Sequence, residues 1–266
     1  MKFSSIAYPA TLFIALVAAT PASAQMQDAF LASDRGVIYH LDGETLVATE
    51  VGQMEDAGST NDIVYLGNGR IAANLLFAAV SYDVTTNTQT TLFTAQDVQS
   101  EPSGISLMSG LALQSNGDLY FTSVLHSPSG LHHAGATYNP VSEDINLVEG
   151  SPNIHLYIDH HELSPGRMLG AVSGSDVVEV FDPLTGIAES SYNLGAEVRS
   201  FVQFGDALFF LSSDNQLFTF DHHTGTAEFY GDIQGTNATL FGITVPAPSS
   251  AIGVALAGIL CTRRRR

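Results

Sequence analysis

Histidine is the residue type most able to do chemistry in this chain. There are nine, as many as lysine and arginine together, and only one cysteine. Six fall in three adjacent pairs: His132 with His133, His160 with His161, and His222 with His223. Imidazoles near carboxylates can ligate zinc or another transition metal, hydrogen-bond a sugar, or move a proton. No pair has the spacing of a recognised ligand motif, so no cofactor is implied and a metal has no support from spacing. The plain alternative is that these are polar loop residues, histidine standing in where lysine is avoided.

The other candidates are weaker. Asp159, His160, His161 and Glu162 supply an acid and a base in one run, but four consecutive residues point in different directions. That run reads more simply as a structural turn. Ser103-Gly104-Ile105-Ser106 lacks the Gly-x-Ser-x-Gly elbow of hydrolases. There is no Gly-rich phosphate loop and no EF-hand-like calcium loop.

The elements that would position the histidines repeat along the chain. Five segments share an apolar strand, an Asp or Asn, a turn and a second strand. Their anchors are Asp42, Asp83, Asn139, Asp182 and Asp221. An Asp or Asn side chain can cap a tight turn, and Gly186 and Gly225 supply positive φ at its end. Two further strands precede each later copy, joined by Asn68-Gly69, Asn116-Gly117, Pro165-Gly166 and Gly205-Asp206. Four strands per unit of roughly 40–45 residues is the β-propeller period. No segment between 25 and 245 holds a helical period.

The first unit has three strands, and residues 239–245 are left over at the end. If that orphan is the innermost strand of the first blade, five complete blades close into a ring. The expected fold is therefore all-β: a five-bladed β-propeller of four-stranded blades, resembling bacterial five-bladed propellers in general. About 220 residues leave too few per blade for six or seven. The widest gap between anchors places an insertion near 125–135.

In a propeller, the loops before the first strand and between the second and third strands share one face. His126, His132, His133 and His155 reach that face around blades three and four and form the candidate ligand site. His160, His161, Glu162, His222 and His223 fall on the opposite face. Protonated imidazoles would be the main local positive charge of an acidic protein, favouring an anionic glycan at acid pH.

Charge sharpens the picture. All 27 acidic residues lie between Asp28 and Asp232, with only four of the nine basic ones, so that stretch carries a formal −23 and no lysine. This excludes a nucleic-acid binder working by phosphate neutralisation. With 45% hydrophobic residues, the body can nonetheless bury a core.

Both ends read as addresses. Lys2, the apolar run 6–19 and Ala22-Ser23-Ala24 form a secretory signal peptide over 1–24. The propeller would span 25–245. Residues 246–266 form a tail: Val245, Pro246, Ala247 and Pro248 lead into the apolar run 251–261, then Arg263, Arg264, Arg265 and Arg266. As a helix the apolar run reaches about 17 Å, short of a ~30 Å hydrocarbon core, so its membrane contact would be transient. This three-part end resembles the PEP-CTERM sorting signal, with Ala247 where that family usually has glutamate. The resemblance implies an exosortase-type partner, removal of the tail after a passage through the inner membrane, and delivery to the cell surface or extracellular matrix. Cys261 lies in that tail, so the body has no thiol and no disulfide.

Two function classes follow. The first is an exported binding or structural module recognising a surface glycan or protein. The second is an exported metal-dependent hydrolase or lactonase using face histidines. No constellation has catalytic spacing, which favours the first.

Overall fold

The computed structural model describes residues 26–55, 60–98, 107–127, 130–148 and 154–246. The leader at 1–24 and the tail from Ala247 onward lie outside the described residues. The structure is a five-bladed β-propeller, as the repeat implies.

Blade 1 contains β1 (Ala29–Ser33), β2 (Val37–Leu41) and β3 (Ala48–Gln53). Blade 2 contains β4 (Asp62–Gly67), β5 (Arg70–Asn74), β6 (Ala78–Asp83) and β7 (Thr88–Thr94). Blade 3 contains β8 (Leu107–Leu113), β9 (Leu119–Ser127), β10 (Gly130–Tyr138) and β11 (Ile145–Leu147). Blade 4 contains β12 (Tyr157–Ser164), β13 (Arg167–Val172), β14 (Val177–Phe181) and β15 (Ala188–Asn193). Blade 5 contains β16 (Val198–Phe204), β17 (Ala207–Ser212), β18 (Gln216–Asp221) and β19 (Thr226–Asp232). The chain then returns as β20 (Leu240–Thr244), which pairs antiparallel with β1 and becomes the innermost strand of blade 1. The inner strands β20, β4, β8, β12 and β16 contact one another in cyclic order around the axis.

Strand alternation explains why one sequence can fill both faces of every blade. Successive side chains point to opposite faces. Phe209 packs into the core between blades 5 and 1, whereas Phe210 packs between blades 4 and 5. Phe121 faces blade 2 and Tyr120 faces blade 4. The core is consequently divided into five apolar layers, one at each junction.

The five anchors act as turn residues. Asp42 Oδ1 accepts from Glu44 N at 3.1 Å and Thr45 N at 2.8 Å. Asp83 and Asn139 repeat this with Thr85 and Thr86, and with Val141 and Ser142. Asp182 takes Leu184 N, and Asp221 takes His223 N, each at 2.8 Å. These N–H bonds hold the Asp42, Asp83 and Asp221 carboxyls below their usual range.

Two details differ from the sequence reading. Residues 159–162 are not a turn; all four lie within β12, whose wide bulged pairing with β13 the sequence does not announce. Much of the 125–135 insertion is also strand. It lengthens the β9–β10 hairpin through Ser127 and Gly130 rather than forming a loop.

Candidate ligand-binding site

On the upper face, where chain segments enter the inner strands, a small polar cluster forms at the junction of blades 3 and 4. His155 lies in the segment just ahead of β12, and its Nδ1 is 2.8 Å from Glu179 Oε2. The Tyr157 hydroxyl donates to the same oxygen, also at 2.8 Å. Glu179 is buried in the middle of β14, and Tyr157 is buried with it. Tyr157 is fixed in turn by stacking on Phe181, with centroids 4.6 Å apart, and by Gly170, where an added Cβ would sit 2.5 Å from the ring. Burial and the bond to Glu179 raise the Tyr157 hydroxyl well above the ordinary tyrosine range, so it stays protonated and acts as a donor.

The His155 side chain is 57% exposed. With Nδ1 committed to a buried carboxylate, Nε2 is the nitrogen left for a ligand. A carboxylate behind an imidazole fixes its tautomer and orientation, as in the outer partners of metal-bound or proton-transferring histidines. His133 joins the cluster from blade 3: its Nδ1 is 3.3 Å from the Ile154 carbonyl, which ties the β9–β10 hairpin to the segment carrying His155. His126 and His132 belong to the same hairpin, where the register pairs them with Leu131 and Leu125. Only their backbones are described. Glu179 and Tyr157 escaped the sequence reading because both sit in ordinary apolar strand patterns.

The lower face brings together a different set. A cavity of about 470 Å³ between blades 4 and 5 is lined by His161, His222 and His223 with Asp206, Asp221 and Glu228. The His222 and His223 rings are 4.0 Å apart, and His161 Nε2 is 3.1 Å from Gln203 Oε1. Burial lowers the pKa of His161, and burial with the neighbouring His223 lowers that of His222, so both favour the neutral imidazole. Asp221 is already engaged by its own turn. Among the described residues, no three His, Cys, Asp or Glu side chains are grouped to hold a metal ion.

The axis itself is polar. Asp62 on β4, Asp159 on β12 and Ser200 on β16 are all fully buried there. The two carboxyls converge beside Ser200, whose hydroxyl donates to Asp62 Oδ1 at 3.3 Å while Asp159 accepts from the N–H of the next residue, Phe201. Below them, a cavity of about 240 Å³ opens between the inner strands and is lined by Tyr65, Leu113, His161, Glu162 and Gln203 among others.

No protein-family model matches the sequence, and no curated protein matches it. Among solved structures, a chain of a nidogen/laminin complex is similar over 83% of this chain and 85% of its own, at 14% identity and a TM-score of 0.53. A Bacteroides caccae protein of unknown function is similar over 77% of this chain and 73% of its own, at 13% identity and a TM-score of 0.51. At these identities the likeness is one of fold.

Proposed function

We propose that this chain is an exported binding module, sorted to the cell surface or matrix through its tail, with its ligand site on the upper face of blades 3 and 4. One observation carries the site: an exposed imidazole, His155, oriented by the buried Glu179, which is itself held by Tyr157. Such support is costly to build for a residue that merely faces water, because burying a carboxylate requires satisfied hydrogen bonds. His155 Nε2 is the central contact and His133 flanks it, while His126 and His132 are proposed as further members of the site from their place on the same hairpin. The ligand is a surface glycan or a protein group that can hydrogen-bond an imidazole. The three-part tail supports sorting by an exosortase-type enzyme.

The test is a thermal-shift screen of glycans and divalent metals on the full chain. It compares the wild type with a variant carrying alanine at His126, His132, His133 and His155 together, and with Glu179→Gln. A glycan hit should be lost in the first variant and weakened in the second. A hit retained in full by the quadruple variant excludes this face. A metal hit abolished by chelator, accompanied by lactone hydrolysis, would replace the binding module with the hydrolase reading. For the tail, mass spectrometry of surface-released protein should show a molecule ending before Arg263.

A further inference from the structure

The five inner strands expose equivalent backbone N–H groups toward the axis, at Ile63, Leu111, His160, Phe201 and Ile243. Each follows one of five equivalent positions: Asp62, Gly110, Asp159, Ser200 and Gly242. A buried N–H left unpaired is costly. Three side chains satisfy all five. Asp62 Oδ1 accepts from Ile63 N at 2.7 Å, and its Oδ2 accepts from Leu111 N at 2.8 Å. Asp159 Oδ1 accepts from His160 N at 2.5 Å, and its Oδ2 accepts from Phe201 N. Ser200 Oγ accepts from Ile243 N at 3.1 Å.

The pattern has a logic. At the axis, each non-glycine side chain serves the N–H of the next blade. The two glycines cannot, so the aspartate that follows each of them also serves its own strand. Ser200 adds a donor to Asp62 Oδ1 at 3.3 Å. Asp62 thereby joins blades 2 and 3, Asp159 joins blades 4 and 5, and the two buried carboxyls converge at the axis beside Ser200.

A hydrogen bond between these two carboxyls would require a proton, since two carboxylates have none to share. We infer that Asp62 and Asp159 form a one-proton latch that holds the ring shut across its axis and loosens when the proton is lost. Loss of the proton would set two like charges against each other in a buried channel, with no cationic side chain among the described residues to offset them. The groups facing the pair bear this out. From β12, the His160 ring turns away into Tyr120, Tyr157 and Phe181, His161 binds Gln203, and Glu162 accepts from Ser115 N. From β16, Arg199 pairs with Glu197 at 3.0 Å and lies over the Phe241 ring at 4.4 Å. β8 contributes Leu111, and β20 contributes Ile243 and the hydroxyl of Thr244. Burial, and for Asp62 also the charge of Asp159, raises both carboxyls above the ordinary range.

The sign follows from linkage. A carboxyl whose folded pKa is raised contributes stability that is present at acid pH and is lost as pH climbs toward that pKa. Once the pH is well above the ordinary carboxylate range the unfolded chain has released both protons, while a latched protein would keep one. The folding equilibrium constant should therefore fall by up to about tenfold per pH unit. Urea unfolding of the full chain between pH 7 and 9 reads this directly. Asp62→Asn replaces the shared proton with an amide donor and should flatten the slope, even if it lowers stability throughout by freeing one N–H. A wild-type constant that is level or rises over this range overturns the inference, as does an unchanged slope in Asp62→Asn. Should that variant not fold, infrared spectroscopy of the wild type decides. A protonated carboxyl stretch at pH 7.5 that vanishes on unfolding supports the latch, and its absence refutes it.

Discussion

His160 is the residue most at odds with its surroundings. It is 3% exposed, and neither ring nitrogen has a partner. Tyr120, Tyr157 and Phe181 surround it edge-to-face, with centroids 5.2, 5.4 and 6.2 Å away. A Cβ on Gly110 would come within 2.1 Å of its Nδ1, so the ring fits only because that neighbour is glycine. Burial pushes its pKa down to about 3. The unfolded chain therefore takes up a proton near pH 6.5 that the folded protein refuses until near pH 3. Stability from this site is present above pH 6.5 and drains away as pH falls toward 3, opposite in sign to the axial carboxyls. His160→Leu should flatten that acid limb. It should also match or exceed wild-type stability at pH 7, because an unpartnered buried polar group costs about 1–3 kcal/mol. Chemical denaturation at pH 4, 5 and 7 measures both effects. An acid limb unchanged by the substitution would assign the proton uptake elsewhere. None of this was legible in the run 159–162, since the sequence shows adjacent polar residues but not that β12 sends one to the axis and the next into an aromatic box.

At the scale of elements, turns were the most legible feature and strand ends the least. The anchors identified five turns correctly because a side-chain cap is local chemistry. The residue four beyond each anchor has positive φ in every copy: Leu46, Asn87, Glu143, Gly186 and Gly225. Only two of these are glycine, so the turn conformation is imposed by the cap and the flanking pairs rather than by glycine alone. The upper-face cluster was half legible. Topology placed His133 and His155 together, but Glu179 is one polar residue in Val177–Phe181, and nothing local marks it as buried. The orphan strand was read correctly from the strand count. β20 supplies Leu240 and Ile243 to the core between blades 5 and 1, and its pairing with β1 runs from Phe30 to Ser33. Ser200 and Tyr65 also bond to it. Deleting residues 239–245 should therefore expose the β1 edge, open the ring and leave a bare strand prone to pairing with other chains. Aggregation or loss of cooperative unfolding is expected by calorimetry and light scattering. A soluble variant with a single sharp transition would contradict closure by this strand.

For the whole molecule, the formal −23 of the body must be reconciled with a compact ring. The hydrophobic layers hold the blades together, yet the four arginines of the body can neutralise little. Arg167 pairs with Glu189 at 2.7 Å and Arg199 with Glu197 at 3.0 Å. The Arg167 pair is largely exposed, and exposed pairs contribute only about 0–1 kcal/mol. Added salt consequently has little attraction to weaken and much repulsion to screen. The axial aspartates are shielded from solvent ions, so the response should come from surface carboxylates and leave the alkaline slope of the latch intact. The Debye length is about 10 Å at 0.1 M and about 3 Å at 1 M, so most of the gain should appear below roughly 0.3 M. The thermal midpoint of the full chain should climb with NaCl over that range and then level off. An equal rise with sucrose at low ionic strength would assign the effect to solvent exclusion instead. A midpoint that is flat or falls with NaCl would mean that the repulsion is already offset within the fold.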